Sequence, residues 1–388
     1  MKRTLSILLM AATPLLMPLP SLADTIPPPP SLAAKSFVLR DFSSDNIIAQ
    51  QGAHERIEPA SLTKLMTAYL VFKAVKNGHL TLTQQLPVSV KAWKGGGAGC
   101  GGGAGSCMFI EPNKPVTVDE LLQGMIIISG NDASVALAEG IAVTEEAFAD
   151  LMNKEAARLG MKDTHFVNAT GLPDPNHYTS AYDLSLLSEA LIRDYPSEYK
   201  RLYGVKEYRY HNITQMNRNR LLWIDPTVDG MKTGHTSSAG YCLIASSKKG
   251  DMRLISVVLG APTDTARTTE SQKLLNYGFQ FYESRMMYKQ GQTISNLKVW
   301  KGSDNTLAAT VDSDLALTYP KSTYSQIKAS VTSMQPLIAP VAKGQVVGKI
   351  QFTLDGKVIE ERNLVAAKEV PVAGIFGRLW DTLKLKFH

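Results

Sequence analysis

Ser61-Leu-Thr-Lys64 stands directly before the apolar run Leu65-Met-Thr-Ala-Tyr-Leu-Val-Phe72 in this 388-residue chain. Together with Pro59 just upstream, the run predicts that the four residues form the first turn of a buried helix. A spacing of three residues places the Ser61 hydroxyl and the Lys64 amine on one helical face, within hydrogen-bonding reach. A serine becomes a nucleophile when a base takes its proton, and a buried lysine held neutral can be that base. The stretch alone also recurs by chance, so its meaning depends on what accompanies it.

Two further motifs follow in the same chain. Ser129-Gly-Asn131 comes after the apolar run Met125–Ile128, and Lys232-Thr-Gly-His235 precedes Tyr241–Ala245, which has the composition of a strand. The order S-x-x-K, S-x-N, K-T-G is the active-site signature of penicillin-recognising serine enzymes. Over nearly its whole length, the chain resembles the D-alanyl-D-alanine carboxypeptidases of the penicillin-binding protein 5/6 type.

The residues and the resemblance both predict an α+β fold. Ser36–Arg40, Asp229–Ala245 and Arg253–Leu259 are predicted strands at the two ends of a region whose middle is helical. The resemblance implies a penicillin-binding protein/serine β-lactamase-like transpeptidase fold, an antiparallel sheet of five strands with helices on both faces. Thr293–Val370 has short alternating segments and an Asp-Gly turn, which predicts a small all-β C-terminal domain.

The chain is predicted to divide into five parts. Lys2 and Arg3 precede an apolar stretch and a small-x-small site at Ser21-Leu-Ala23, a pattern typical of a secretory signal. We therefore expect export to the periplasm. The predicted parts are a signal peptide (1–23), a proline-rich spacer (24–34), a carboxypeptidase catalytic domain (35–290), a C-terminal β domain (291–371) and an amphipathic helix (372–388).

The tail carries an apolar helical stripe beside the cations Arg378, Lys384 and Lys386. The stripe consists of Ile375, Phe376, Leu379, Trp380, Leu383 and Phe387. A helix of about 15 residues is too short to span a bilayer but long enough to lie in its interface. We expect it to anchor the protein to the anionic outer face of the cytoplasmic (inner) membrane. The alternative is that it packs on its own β domain.

The resemblance implies an acyl transfer carried by the first two motifs. Ser61 would attack the carbonyl between the last two D-alanines of a peptidoglycan stem pentapeptide, and neutral Lys64 would take its proton. Ser129 would relay a proton to the leaving amine. Asn131 would hold a substrate amide or the Lys64 side chain. β-Lactam antibiotics would acylate the same serine.

The third motif is expected to hold the substrate. Lys232 and Thr233 would bind its terminal carboxylate, and Gly234 would leave room for the strand to lie against the ligand. The backbone N–H groups of Ser61 and His235 would form the oxyanion hole. Arg267 matches a family arginine that faces the carboxylate.

Composition argues against other function classes. The formal net charge is +6 with dispersed cations, so no nucleic-acid partner is expected. The seven histidines and three cysteines show no metal-ligand spacing, so no metal and no cofactor is expected. Cys100 and Cys107 enclose a glycine-rich segment in an exported chain, which predicts a disulfide between them.

Three alternative functions are each expected to have a distinct sequence feature. A class A β-lactamase uses a glutamate in a Glu-x-x-Leu-Asn segment for deacylation, and none lies between Asn131 and Lys232. A D,D-endopeptidase of the same superfamily usually lacks the β domain and the tail. A catalytically silent wall-binding scaffold is disfavoured because all motif residues are intact.

Overall fold

The computed structural model describes residues 26–95 and 105–385. The helices are α1 (Lys64–Lys76), α2 (Val90–Trp93), α3 (Val118–Ile127), α4 (Asn131–Ala142), α5 (Glu145–Arg158), α6 (Ala181–Asp194), α7 (Pro196–Leu202), α8 (Leu221–Ile224), α9 (Asp264–Phe281) and α10 (Ile375–Leu385). The strands are β1 (Ser36–Asp41), β2 (Ile47–Gln51), β3 (Gln85–Leu86), β4 (Val116–Thr117), β5 (Glu207–Tyr210), β6 (Ile213–Met216), β7 (Val228–Thr236), β8 (Gly240–Lys249), β9 (Met252–Ala261), β10 (Tyr282–Tyr288), β11 (Thr293–Trp300), β12 (Thr306–Thr310), β13 (Leu315–Pro320), β14 (Lys328–Ser333), β15 (Leu337–Ile338), β16 (Val346–Leu354) and β17 (Lys357–Ala366).

Five antiparallel strands form the central sheet in the order β2-β1-β9-β8-β7. Along β1, Val38 belongs to the core on one face of the sheet, while Phe37 and Leu39 belong to the core on the other. This alternation is the two-residue period of a sheet that is buried on both faces. Helix α9 packs with Leu274 and Leu275 on the Phe37 face, and α1 and α6 lie in the core of the opposite face. The predicted α+β class is confirmed.

One predicted strand is wrong. Asp229–Ala245 is two strands, because β7 ends at Thr236 and β8 begins at Gly240. Thr236 pairs with Gly240 across the turn, and its hydroxyl accepts a hydrogen bond from the Ala239 N–H at 3.0 Å. Gly240 has a φ of +69°, which favours glycine. The turn follows the K-T-G motif, and its residues Thr236, Ser237 and Ser238 line the cleft described below.

The C-terminal region has a core of its own. Strands β14-β16-β17-β12-β11-β15 form a six-stranded sheet, and β10 pairs with β13. The predicted Asp-Gly hairpin is present, since Leu354 pairs with Lys357 and the two turn residues Asp355 and Gly356 have φ values of +51° and +75°. The predicted all-β character of the C-terminal domain is confirmed.

Helix α10 contacts the β domain through its polar face. The Asp381 carboxylate accepts a hydrogen bond from the Lys301 N–H at 2.6 Å. Its apolar side chains are each more than half exposed: Ile375, Phe376, Leu379, Trp380 and Leu383. Within the described ranges, no helix combines the length and apolar character needed to cross a bilayer.

Candidate active site

A cleft of about 720 Å³ opens between β7, the turn that leads into α1, and the turn that leads into α4. All three sequence motifs meet there, although they are separated by more than 60 residues along the chain. Ser61, Ser129, Asn131, Thr233 and Gly234 line the cleft. Lys64 and Lys232 are buried beside it, each less than 5% exposed.

Ser61 lies on a 3-10 turn, Ala60–Thr63, and the α-helix begins only at Lys64. The predicted α-helical first turn is therefore wound more tightly than expected. The tighter turn still leaves the Lys64 Nζ atom 2.9 Å from the Ser61 Oγ atom, so the predicted contact is present. Ala60 has a φ of +48°, an unusual conformation for a residue with a side chain.

The Lys64 amine has three oxygen partners. Besides Ser61, it contacts the Asn131 Oδ1 atom at 2.8 Å and the Thr170 carbonyl at 2.6 Å. A neutral amine has two N–H groups and one lone pair. The amide and carbonyl oxygens can only accept, so they take the two N–H groups, and the lone pair then faces the Ser61 hydroxyl.

Burial lowers the pKa of Lys64 to about 7. The Asp132 carboxylate opposes this shift, whereas the Arg218 guanidinium adds to it. At neutral pH a substantial fraction of Lys64 is therefore unprotonated, which is the state in which an amine can act as a base.

Ser129 and Lys232 form the second polar contact in the cleft. The Lys232 Nζ atom donates to the Ser129 Oγ atom at 2.8 Å. Burial, together with the nearby cations Lys64, Arg218 and Arg267, lowers the pKa of Lys232 well below its usual value. Ser129 has a φ of +66°, so its hydroxyl is held in the cleft by a backbone conformation that few residues adopt.

Gly234 packs closely against the turn that carries Ser61. A Cβ atom at this position would lie 3.1 Å from the Pro59 carbonyl oxygen and 3.2 Å from the Ala60 Cβ atom. The sequence predicted that the missing side chain of Gly234 leaves room for a ligand. In the structure, the missing side chain also lets β7 pack against the turn that carries Ser61. His235 stacks on Tyr241, with ring centroids 4.0 Å apart.

Arg267 is held behind β7. Its guanidinium donates to the Gly234 carbonyl at 3.1 Å and forms an ion pair with Asp264. Its Nε atom is buried without a hydrogen-bond partner among the described residues. Arg267 also lines the cleft.

Sequence reasoning missed Arg218. This exposed arginine lines the cleft, and no hydrogen bond or ion pair joins it to another described residue. Its charge lowers the pKa of both Lys64 and Lys232. It lies between β6 and β7 in Asn217-Arg-Asn219, where no motif distinguishes it from an ordinary surface arginine.

A buried loop supports the turn that carries Ser61. His177 accepts at Nδ1 from the Val167 N–H, so its Nε2–H donates to the Thr63 hydroxyl at 2.8 Å. Burial lowers the pKa of His177 to about 4, which keeps the ring neutral. The same loop supplies the Thr170 carbonyl that binds Lys64.

The two cysteines among the described residues differ in their bonding state. Cys242 is a buried free thiol whose pKa is raised by burial to about 11. Cys107 is disulfide-bonded. Cys100, its predicted partner, lies outside the described residues.

The fold and the cleft together are those of a serine enzyme, and the comparisons with known proteins agree with this class. The family model described as D-alanyl-D-alanine carboxypeptidase matches residues 23–263, and that of the penicillin-binding protein 5 C-terminal domain matches residues 282–372. D-alanyl-D-alanine carboxypeptidase DacC of Escherichia coli (strain K12) is 44% identical over 361 residues, which cover 92% of this chain and 90% of the relative. DacA of the same strain is 44% identical over 365 residues, 94% of this chain and 90% of the relative.

The structural comparison gives the same result. The crystal structure of penicillin-binding protein 5 from Haemophilus influenzae matches with a TM-score of 0.84 at 42% identity, covering 88% of this chain and 99% of that one. The chain therefore belongs to the D-alanyl-D-alanine carboxypeptidases of the penicillin-binding protein 5/6 type. The resemblance drawn from the sequence, and with it the serine carboxypeptidase class, is confirmed.

Gly171→Ala tests how the supporting loop positions Ser61. A Cβ atom at Gly171 would lie 1.8 Å from the Ala60 carbonyl oxygen, so the turn carrying Ser61 would have to move. We expect a lower free energy of unfolding and at least about a hundredfold slower acylation by penicillin, since small displacements of reacting groups cost that much. Stopped-flow acylation and urea unfolding measure both.

Gly160→Ala is the matched control. Gly160 has a φ of +78°, close to the +86° of Gly171, but a Cβ atom there would meet no atom within 4 Å. The control therefore carries the backbone strain without the collision. Equal acylation rates in the two variants would contradict the steric role of Gly171.

Proposed function

We propose that this protein removes the terminal D-alanine from peptidoglycan stem pentapeptides through an acyl-enzyme on Ser61. The observation that carries the proposal is the fixed position of the Lys64 amine, which has two acceptors for its N–H groups and Ser61 at its lone pair. Lys64 takes the hydroxyl proton as Ser61 Oγ attacks the carbonyl of the fourth stem residue. The tetrahedral intermediate then collapses, the C–N bond breaks, and D-alanine leaves as an amine.

The leaving amine needs a proton. The Ser129 hydroxyl contacts Lys232, and Lys64 holds the proton taken from Ser61. That proton is proposed to pass from Lys64 through the Ser129 hydroxyl to the departing nitrogen, which leaves Lys64 neutral again. Water then attacks the ester carbon, Lys64 accepts its proton, and the shortened peptide leaves while Ser61 regains its hydrogen. In the net reaction one peptide bond is hydrolysed, and the enzyme returns to its starting state.

Substrate recognition is proposed to rest on positive charge at one end of the cleft. Lys232, Thr233 and Arg218 are suited to hold the terminal carboxylate, with Arg267 behind β7 adding to the field. A bound carboxylate raises the pKa of Lys232, because an opposite charge favours the ammonium form. The backbone N–H groups of Ser61 and His235 are proposed as the oxyanion hole, and such donors typically supply several kcal/mol of transition-state stabilisation.

The same acylation chemistry extends to β-lactams, whose strained amide occupies the position of the D-alanyl peptide. One solved relative, penicillin-binding protein D2 from Listeria monocytogenes, is described in ampicillin-bound and cefotaxime-bound forms. We propose that penicillins acylate Ser61 here.

The location of the protein is proposed from its two ends. Residues 1–23, which lie outside the described residues, carry the secretory pattern and would direct export to the periplasm. The exposed apolar side chains of α10 would lie in the interface of the inner membrane, while Lys384 attracts anionic lipid. Phe387, the last member of the predicted stripe, also lies outside the described residues.

Ser61→Ala tests the nucleophile. The variant retains a small side chain on the 3-10 turn, so we expect an unchanged circular dichroism spectrum and a loss of about a thousandfold or more in D-alanine release. Mass spectrometry of a stem pentapeptide measures the rate of D-alanine release. The unaltered protein should remove one D-alanine from it. Covalent penicillin labelling of Ser61→Ala would refute the assignment.

The pH dependence of acylation tests the base. Below pH 7 Lys64 is increasingly protonated and lacks a lone pair, so the acylation rate should rise as pH increases through about 7. Arg218→Gln removes a charge that lowers the pKa of Lys64, so the midpoint should move to higher pH. Second-order rate constants of penicillin acylation, measured far below saturation so that they report the free protein, give both midpoints. A profile that falls with pH would exclude Lys64 as the base.

Deletion of Gly374–His388 tests the anchor. The truncated protein should keep its activity on free pentapeptide and lose its sedimentation with vesicles that contain anionic lipid. Because the deletion also removes the Asp381–Lys301 contact, the double variant Phe376→Ala, Trp380→Ala serves as a control that keeps the helix. Sedimentation that persists in both proteins would show that α10 is not the anchor.

A further inference from the structure

A second cavity of about 340 Å³ lies outside the catalytic cleft, between α2, the segment after Cys107 and the β5–β6 hairpin. Its walls include the rings of Trp93, Phe109 and Tyr210 and the side chain of Ile213. Glu111 and Asn212 supply polar groups to the lining. Apolar walls with a few polar groups are the usual composition of a small-ligand site.

The apolar walls are unusually open to solvent. Trp93 is 44% exposed, Phe109 43% and Ile213 44%. Large aromatic surfaces of this kind are normally buried, and their grouping in a cavity marks a recognition surface. The faces of a pyranose ring carry C–H groups that pack on aromatic rings, and its edge carries hydroxyl and acetamido groups that hydrogen-bond to carboxylates and amides.

Two of the cavity walls, the segment after Cys107 and the β5–β6 hairpin, are fixed by hydrogen bonds and packing. The N–H groups of Phe109 and Ile110 donate to the buried Asp132 carboxylate at 2.7 and 3.2 Å. Tyr210 packs against the main hydrophobic core, and Gln215 of the same hairpin donates to the Cys107 carbonyl at 2.8 Å. A preformed cavity loses little conformational entropy when a ligand binds.

The cavity is close to the catalytic cleft. Ser106 lines the cleft and Phe109 lines the second cavity, and three residues of chain span at most about 11 Å between their Cα atoms. In a stem pentapeptide, the residue acylated on Ser61 is the fourth, so three residues separate it from the sugar to which the stem is attached. Those three residues also span about 10 Å when extended.

We propose that this cavity is a subsite for the N-acetylated amino sugar that carries the stem peptide. The inference rests on the proposed carboxypeptidase function and names the form of its substrate: glycan-linked pentapeptide in preference to free peptide. Because sugar and peptide are covalently joined, a weak sugar contact adds to peptide binding as an intramolecular step.

Trp93→Ala tests the subsite. For a disaccharide-linked pentapeptide, KM should rise about tenfold, which corresponds to about 1.4 kcal/mol of lost binding. The kcat for this substrate and both constants for free pentapeptide should stay unchanged. The matched control is Trp223→Ala, since Trp223 is equally exposed at 43% but does not line the cavity. An equal effect of Trp93→Ala on both substrates, or no effect on either, would overturn the proposal.

A binding measurement on the unaltered sequence does not depend on the folding of a variant. Peptide-free glycan strands titrated into ¹⁵N-labelled protein should shift the Trp93 indole and the Tyr210 amide resonances. Absence of shifts at these residues would also overturn the subsite, and the cavity would then be open to an apolar segment of another protein. Failure of the proposed carboxypeptidase function would give a different result. The unaltered protein would then release no D-alanine from free pentapeptide.

Discussion

The position of one buried amine, the Lys64 Nζ atom, is the constraint on which the rest of the cleft depends. It is fixed by a 3-10 turn before it, by α4 through Asn131 and by a loop carbonyl at Thr170. Burying an ammonium group without a paired carboxylate is costly, so the pKa of the amine falls to about 7 and a substantial fraction is neutral at neutral pH. The structure thus produces a base by excluding water and by providing acceptors for two hydrogens only.

The same reasoning applies to Lys232, the second buried lysine beside the cleft. Lys64 disfavours the charged form of Lys232, and burial lowers the pKa of both lysines. In the proposed function, the carboxylate of an anionic substrate would change this balance by stabilising an ammonium on Lys232. Charge on Lys232 would in turn lower the proton affinity of Lys64 and favour return of the proton to the leaving amine. In this proposal, substrate binding and proton transfer are linked through electrostatics.

The sequence predicted the motif residues and the contact between Ser61 and Lys64, because short motifs encode local chemistry, whereas the contact between Lys232 and Ser129 was not predicted. The contact between Ser61 and Lys64 follows from their spacing on one helical face. The 3-10 winding of that turn does not, because it depends on β7 packing through Gly234 and on Gly171 beneath it. The single strand Asp229–Ala245 was wrong because the turn composition Ser237-Ser-Ala-Gly240 within it was not recognised as the end of one strand and the start of the next. Arg218 has no sequence signal, since its importance comes from long-range placement beside the two lysines.

Asp132 joins the catalytic cleft to the aromatic cavity. Its neighbour Asn131 holds Lys64, while its own carboxylate accepts hydrogen bonds from the N–H groups of Met108, Phe109, Ile110 and Ala133. Burial raises the pKa of this carboxyl, and the four backbone N–H groups oppose that shift by stabilising the anion. The anion also raises the pKa of Lys64. One buried charge thus sets the conformation of the segment between the two cavities and part of the electrostatic environment of the base, so the two cavities are tied to a common rigid point.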